Sequence, residues 1–252
     1  MEFNRLVAQA ASKAGRLMLE NGAETGRVED TMTRIAASYG VKAHTFVTLT
    51  GIFISCGDTT ELIRMKCRRT NLAVVSSVNQ LSREIAGGGI DIDNAIARLE
   101  EIDGMKPYPG YIMLPLRALC CFFFAYINGG SFTDCLNSLI AGIILGLCLA
   151  FFSRTEVSSF MYTLIGATVL TLSALILHRL GLGVNVHYSI IGGLTPLLPG
   201  LALINAIRDI LNGDYICGSA RLFDACVTAL AIAVGVGASL KLWQILFGIT
   251  VF

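Results

Sequence analysis

The feature that most constrains this chain is a series of long apolar segments that begins near residue 110. Residues 111–252 contain only 6 Lys/Arg and 5 Asp/Glu, whereas residues 1–110 contain 13 of each. A helix needs about 20 apolar residues to cross a bilayer. The second half of the chain offers five such segments, at roughly 110–128, 133–152, 157–178, 185–206 and 219–240. The sequence therefore predicts an integral membrane α-helical bundle of five transmembrane helices behind an N-terminal soluble domain.

Residues 1–108 are predicted to form a cytosolic α+β domain, and residues 109–252 a five-helix transmembrane domain. Two stretches with helical spacing, ending near Asn21 and Gly40, precede KAHTFVTLTGIFISC, GDTT and ELIRMKCR. The β-branched residues and the turn signal predict a hairpin with one basic face, and two further helices follow. The predicted order is ααββαα.

The distribution of basic residues predicts the orientation in the membrane. The first residues, MEFNRLVAQAASKAG, lack the apolar core of a signal peptide, so the N-terminus is expected in the cytosol. Four basic residues fall on that side of the five spans and two on the other, which agrees with the positive-inside rule. We expect a multi-pass protein of the cell membrane with its C-terminus outside.

The fourth span contains helix breakers in the stretch TPLLPG, residues 195–200. Pro196 and Pro199 each remove a backbone donor and leave upstream carbonyls without their helical partners. Two interpretations remain open for this stretch. It is either a plain proline kink or a broken helix that presents Thr195, Asn205 and backbone groups to a substrate.

Charged residues follow at the end of this span, where Arg208 and Asp209 precede Arg221 and Asp224. Ionisable groups at membrane depth are costly, so they indicate substrate or proton handling. A structural set of ion pairs at the membrane surface is the alternative.

A second group of charges, Glu20, Glu24, Arg27, Glu29 and Asp30, surrounds the junction of the first two helices. It is either a solvated face with helical ion pairs or a docking and regulatory surface. His44 is the only histidine before residue 178, so no histidine-based catalytic set is expected in this domain. The eight cysteines lack metal-binding spacings, and we expect neither a metal nor a cofactor. Charges balance in both halves, which argues against a nucleic-acid partner.

Four stretches in order, ENGAETGRVEDTMTRIAASYG, FVTLTGIFIS, NQLSREIAGG and PGLALINAIRDILNGDYICGSAR, resemble the threonine/serine exporter family. The resemblance covers nearly the whole chain and is closest to the larger subunit of the split form of that family. Gly26 departs from the family motif, in which an aromatic or larger residue is usual.

The resemblance implies a secondary exporter with a cytosolic domain and a second, smaller membrane subunit as partner. Family members export threonine and serine, or succinate in one split type, and coupling to the proton-motive force is the family expectation. The motif maps onto two sets of residues in this chain: Glu20, Gly22, Ala23, Glu24, Arg27, Glu29 and Asp30, and Pro199, Gly200, Asn205, Arg208, Asp209, Gly213 and Arg221.

The hypothesis is therefore an exporter subunit, not an enzyme, for a small carboxylate-bearing substrate. Six residues are the expected substrate contacts: Thr195, Pro196, Pro199, Asn205, Arg208 and Arg221. Asp209 and Asp224 are the candidates for proton coupling. The alternatives are a membrane-anchored sensor or hydrolase that acts through the N-terminal domain, and a scaffold subunit whose partner contains the pore. A homo-oligomer is a further possibility.

Overall fold

The computed structural model describes residues 2–65, 70–152 and 158–248, which form ten α-helices, one short 3-10 helix and one sheet. The N-terminal elements are α1 (Glu2–Glu20), α2 (Thr25–Ser38), β1 (Ala43–Thr48), β2 (Gly51–Cys56), β3 (Thr59–Arg64), α3 (Leu72–Ala86) and α4 (Ile92–Asp103). The remaining elements are α5 (Gly110–Ile127), α6 (Phe132–Phe152), α7 (Ser159–Arg179), α8 (Val186–Leu194), the 3-10 helix Thr195–Leu197, α9 (Gly200–Leu211) and α10 (Tyr215–Phe247).

These elements group into two compact units. The first unit comprises Met1–Pro107 with Gly200–Phe223, and the second comprises Tyr108–Pro199 with Asp224–Phe252. The first unit thus includes α9 and the start of α10, which the sequence analysis assigned to the transmembrane part. The cytosolic location of residues 1–108 stays a prediction.

Helix α1 lies at the centre of the first unit and packs against α2, α3, α4 and the strands β2 and β3. Its buried residues include Ala8, Ala10, Ala11 and Ala14, whose small side chains let the neighbouring elements approach closely. A methyl group added at Gly15 would lie 2.4 Å from the sulfur of Met32. The helical spacing of apolar residues in the sequence therefore matches the residues that are buried in this unit.

The sheet has three antiparallel strands in the order β1-β2-β3, so the predicted two-stranded hairpin is wrong by one strand. The β-rich stretch turns at Leu49 and Thr50. The Thr48 Oγ1 closes this turn, because it donates to the Gly51 carbonyl at 2.9 Å and accepts from the Gly51 N–H at 3.0 Å. No Pro, Asn or Asp marks the turn, which explains why the sequence did not reveal it.

The exposed face of the sheet carries a row of apolar residues in addition to Arg64, one of the basic residues expected there from the sequence. Phe46 pairs with Phe53, and Phe53 with Leu62, and all three side chains are exposed. Arg64 is exposed at the end of β3. The other two basic residues of the prediction, Lys66 and Arg68, lie outside the described residues.

Four helices, α5, α6, α7 and α10, are long and apolar enough to cross a membrane, and a fifth span requires α8 and α9 to be counted together. This confirms the predicted class of a multi-pass helical membrane protein. Helix α10 begins before the predicted fifth span and continues from Tyr215 to Phe247 without interruption. Its 33 residues extend about 50 Å at 1.5 Å per residue.

The predicted helix break lies between α8 and α9. Leu198 has an extended backbone (φ −66°, ψ 133°) and Pro199 precedes the first residue of α9. The carbonyls that Pro196 and Pro199 deprive of a helical donor belong to Gly192 and Thr195. Both accept other backbone donors: the Thr195 N–H binds the Gly192 carbonyl, and the Leu198 N–H binds the Thr195 carbonyl at 3.2 Å. The 3-10 turn therefore satisfies these groups internally.

Candidate functional site

The site begins at the tight connection between α1 and α2, which we call the 22–25 loop (Gly22, Ala23, Glu24 and Thr25). Gly22 has a φ of 95°, a left-handed conformation that glycine adopts without strain. The Ala23 N–H reaches back to the Met18 carbonyl at 3.0 Å, which closes the end of α1. The loop thus turns its own carbonyls and the start of α2 toward the rest of the first unit.

The opposite side of the site is the α9–α10 hairpin, defined as Gly200–Phe223. Gly213 (φ 89°) makes its turn, and the Asp214 N–H bonds the Asp209 carbonyl at 2.9 Å. The Asp214 Oδ1 accepts the Cys217 N–H at 3.2 Å, so Asp214 caps the first turn of α10. Gly218 lets the two helices touch, because a methyl group there would lie 2.5 Å from Ile210 Cγ1.

Three side chains of the hairpin hold the 22–25 loop. Asn205 donates to the Gly22 carbonyl at 2.9 Å, and Arg221 Nη2 donates to the Ala23 carbonyl at 2.8 Å. Arg208 Nη1 lies 3.2 Å from Glu24 Oε2. Two sequence motifs separated by about 180 residues therefore meet in one contact surface.

The centre of the site is the carboxylate cluster, which we define as Thr25, Asp209, Asp214 and Arg221. Asp209 is fully buried and Thr25 is 1% exposed. Asp209 Oδ1 accepts the Thr25 N–H at 3.2 Å and the Thr25 hydroxyl at 2.8 Å. Asp209 Oδ2 lies 2.9 Å from Arg221 Nε, a distance that makes an ion pair although the N–H is not aligned with the oxygen. A charge pair buried this deeply costs desolvation, and the added hydrogen bonds offset that cost.

The Thr25 hydroxyl faces two carboxyl groups at once. Its Oγ1 lies 2.8 Å from Asp209 Oδ1 and 2.9 Å from Asp214 Oδ2. A hydroxyl carries one hydrogen and can donate it to one acceptor at a time. The hydroxyl therefore shares its hydrogen between the two carboxylate oxygens or bonds one of them at a time.

Glu29 and Cys217 lie at the edge of the cluster. Glu29 Oε1 accepts the Val47 N–H at 2.8 Å, and the Cys217 thiol donates to the Val47 carbonyl at 3.7 Å. Partial burial raises the pKa of Glu29 above its ordinary value. The Val47 N–H opposes this rise, and the charges of Asp214 and Asp30 add to it. An acidic neighbour of the cluster thus resists ionisation.

The other predicted site residues are distributed as follows. Glu24 also pairs with Arg27 at 3.4 Å, Glu20 pairs with Arg16 at 3.7 Å, and Asp30 is exposed. The remaining four, Thr195, Pro196, Pro199 and Asp224, belong to the second unit.

In the second unit, Pro196 and Leu197 line a cavity of about 100 Å³, and Thr195 Oγ1 lies 3.5 Å from the Ile191 carbonyl. Asp224 is exposed on α10. The functional roles of all these residues stay predictions. Within the described ranges, no group of three His, Cys, Asp or Glu could hold a metal ion.

Two members of the cluster were not proposed as site residues from the sequence. Thr25 and Asp214 are ordinary helix-capping residues by position, and only the fold brings their side chains together. A usable signal existed in the sequence, since each lies within one of the two motifs that the family resemblance rests on.

The described part of the chain thus combines several apolar helices of membrane-spanning length with a buried ion pair. The chain matches the family described as "Putative threonine/serine exporter" over residues 9–243. It belongs to that family, which the resemblance had indicated. No solved structure matches the chain.

Individual relatives are distant but extend over most of the chain. The chain is 25% identical to the "Threonine/serine exporter" of Corynebacterium glutamicum, with 95% of this chain and 52% of that protein covered. It is 23% identical to the "Probable succinate transporter subunit YjjP" of Escherichia coli K12, with 96% of each chain covered. The chain thus spans about half the length of the first relative and nearly all of the second.

Proposed function

We propose that this chain is one subunit of a secondary-active, proton-coupled exporter of small carboxylate-bearing metabolites, either threonine and serine or a dicarboxylate such as succinate. The observation that carries the proton coupling is the Thr25 hydroxyl that faces Asp209 and Asp214. The relatives named as exporters and as a succinate transporter subunit support the substrate class.

The bound proton would control the attachment of the 22–25 loop to the α9–α10 hairpin. Asp209 is the positioning member, because it faces the Arg221 guanidinium and accepts two hydrogen bonds from Thr25. Asp214 is the second acceptor of the Thr25 hydroxyl, at 2.9 Å, and we place the coupled proton on this carboxyl group. When this proton leaves, two ionised carboxylates face one hydroxyl, and their repulsion weakens the contact. Proton release and loop release would therefore be one event.

Arg208 would receive the substrate carboxylate on the cytosolic side. Its side chain is 56% exposed, and Glu24 is its ion-pair partner within the described residues. An incoming carboxylate can compete with Glu24 for the guanidinium fork, which binds carboxylates through two parallel hydrogen bonds. Arg221 is a positioning residue, since Asp209 and the Ala23 carbonyl already occupy it.

The remaining parts of the proposal concern assembly and orientation. The chain spans about half of one exporter relative and nearly all of a relative named as a subunit, which supports a second, smaller membrane subunit as partner. We propose five crossings with α8 and α9 as one interrupted span, residues 1–108 in the cytosol, and the C-terminus outside. This number of crossings treats the two prolines as an interruption within one span.

The first experiment measures uptake of labelled threonine, serine and succinate into inside-out vesicles that contain this chain alone or with its small partner subunit. The variant Asp214→Asn keeps an acceptor for the Cys217 N–H and gives Thr25 a permanent donor, so it imitates the protonated cluster. We expect this variant to reach the membrane. Its uptake driven by a pH gradient should be at least about tenfold lower than that of the original chain.

Asp58→Asn removes an exposed acid of the first unit outside the motif residues and is the matched control, which should export as the original chain does. Uptake by Asp214→Asn that responds to the pH gradient as strongly as this control would exclude the cluster as the coupling site. Absence of all uptake by the original pair, with both chains present in the membrane, would exclude the proposed substrates.

A further inference from the structure

We propose that Arg117 and Tyr162 form a carboxylate-binding subsite in the second unit, beside the 3-10 helix Thr195–Leu197. This inference rests on the proposed function, because it assigns a place for the substrate that the exporter would carry. Arg117 was among the residues that the sequence analysis left without a role.

The subsite is a cavity of about 100 Å³ where four elements of the second unit converge. Arg117 comes from α5, Tyr162 from α7, and Pro196 and Leu197 from the 3-10 helix. The rest of the lining is glycine or leucine from α6: Gly142, Leu145, Gly146 and Leu149. An apolar hollow with a few converging polar groups is the usual form of a small-molecule site.

Arg117 is exposed on α5, at a position that would lie within the apolar part of a membrane span. It lies seven residues after Gly110, the first residue of α5, which is about 10 Å along a helix apolar enough to span a membrane. A charged residue inside such a helix is destabilising unless a partner compensates it. Among the described residues, no carboxylate lies within ion-pair distance of Arg117. The missing partner is the anion that we assign to this cavity.

Other arginines in the helices of this half of the chain have partners, which sets Arg117 apart. Arg179 lies 4.3 Å from the centre of the Phe247 ring, Arg208 pairs with Glu24, and Arg221 pairs with Asp209. Each of these cations is thus compensated by a group of the chain itself. For Arg117, the compensating group is therefore a ligand that binds and dissociates.

The chemistry of the lining selects a small anion. The guanidinium offers parallel donors that match the two oxygens of a carboxylate. The Tyr162 hydroxyl makes no hydrogen bond to the described part of the chain and supplies one more donor. The cavity holds about three water molecules' volume, which suits a carboxylate with its neighbouring carbon. The rest of a threonine, serine or succinate molecule would extend out of the cavity.

At the neighbouring helix break, no freed backbone group is open to a ligand, so we assign recognition of the carboxylate to side chains. The carbonyls of Gly192 and Thr195 already accept backbone hydrogen bonds, so they are not the open acceptors that a broken helix could offer. What the 3-10 helix contributes is the wall of the cavity, through Pro196 and Leu197. A shift of this short segment would open or close the carboxylate subsite.

The test is ligand-induced stabilisation of the full-length chain purified in detergent. We expect succinate to raise the apparent melting temperature and succinamide, which has the same shape without the charge, to leave it unchanged. Arg117→Gln should raise the half-saturating succinate concentration at least about tenfold. Tyr162→Phe should raise it by a smaller factor, and Arg117→Lys should give an intermediate value because a single ammonium cannot bind both oxygens in parallel.

The matched control is Arg179→Gln, which removes another arginine of the second unit and should leave the half-saturating concentration as it is. Equal succinate binding by the original chain and Arg117→Gln would overturn the inference, as would equal stabilisation by succinate and succinamide. If Arg117→Gln does not fold, Tyr162→Phe and Arg117→Lys decide the question by the same measurement.

Vesicle uptake separates this inference from the proposed function. Export by the original pair together with an unchanged KM in Arg117→Gln would reject the subsite and leave the exporter assignment intact. Conversely, an original pair that exports none of the three labelled compounds would reject the substrate class. The difference in succinate binding between the original chain and Arg117→Gln would still decide the subsite.

Discussion

Arg208 and Arg221 show, at the residue scale, how two arginines on one hairpin can differ in burial and in contacts. Arg221 is largely buried and contacts both Asp209 and the Ala23 carbonyl, whereas Arg208 is half-exposed and contacts Glu24. An exposed ion pair contributes roughly 0–1 kcal/mol to stability. Loss of Arg208 should therefore affect export far more than folding.

Arg208→Ala is expected to reduce export by at least about tenfold while the protein reaches the membrane at its normal level. The reason is that the substrate carboxylate loses its cytosolic cation. Arg27→Ala is the matched control, because Arg27 also pairs with Glu24, at 3.4 Å, and is half-exposed. Uptake and membrane abundance are measured for both variants. Equal export by the two would contradict the role given to Arg208.

The sequence led us to propose Asn205, Arg208, Asp209 and Arg221 as site residues but could not indicate their partners. Asn205 and Arg221 bind the carbonyls of Gly22 and Ala23, and a backbone carbonyl leaves no trace in residue identity. The contacts also join positions about 180 residues apart, which local periodicity does not reach. A charge pattern can therefore indicate a site, whereas the contacts within that site depend on the fold.

At the scale of elements, the α9–α10 hairpin depends on how closely its two helices approach. Gly218 of α10 faces α9, and a methyl group there would lie 2.9 Å from the Ala206 carbonyl oxygen and 2.5 Å from Ile210 Cγ1. Gly237 of the same helix has no atom within 4 Å of such a methyl group. The two glycines thus provide a comparison within one helix.

Gly218→Ala should separate the helices of the hairpin, weaken the Asp209–Arg221 pair and lower the apparent melting temperature by several degrees. Gly237→Ala should be neutral or slightly stabilising, since alanine favours a helix by up to about 1 kcal/mol over glycine. Thermal unfolding in detergent measures both. A Gly218→Ala protein as stable as the Gly237→Ala protein would show that the close approach is unnecessary.

The elements themselves were predictable to different degrees. The helix breakers Pro196 and Pro199 were visible in the sequence because they lack the N–H that a helix requires, but the choice between a kink and a break was not. The turn between β1 and β2 was missed, because neither Leu49 nor Thr50 at its tip is typical of turns and the Thr48 side chain closes it against Gly51. The start of α10 was also misjudged, because Asp214 caps it five residues before the apolar segment that marked it in the sequence.

At the scale of the whole molecule, the number of membrane crossings determines where the chain ends. Helices α8 and α9 have 9 and 12 residues, about 14 and 18 Å, so neither spans 30 Å of hydrocarbon alone. Counted as one interrupted span, they bring the total from four to five crossings. An odd total places the two ends of this chain on opposite sides, and an even total places them on the same side.

We expect a reporter fused to the start of the chain to be active in the cytosol and one fused after Phe252 to be active outside. The pair of reporters is read in intact cells, with a fusion after Arg179 as an internal standard for the outer side. Two ends on the same side would show that α8 and α9 do not cross the membrane together. The carboxylate cluster and the Arg117 subsite can be tested independently of that result.

The burial of Cys217 has a practical consequence. Its thiol is 2% exposed and is held against the Val47 carbonyl, so a reagent reaches it only when β1 and α10 move apart. In a variant that keeps Cys217 alone among the eight cysteines, the rate of alkylation measures how often that opening occurs. Recorded at one pH with and without substrate, this rate would report how substrate changes the opening, without any transport assay.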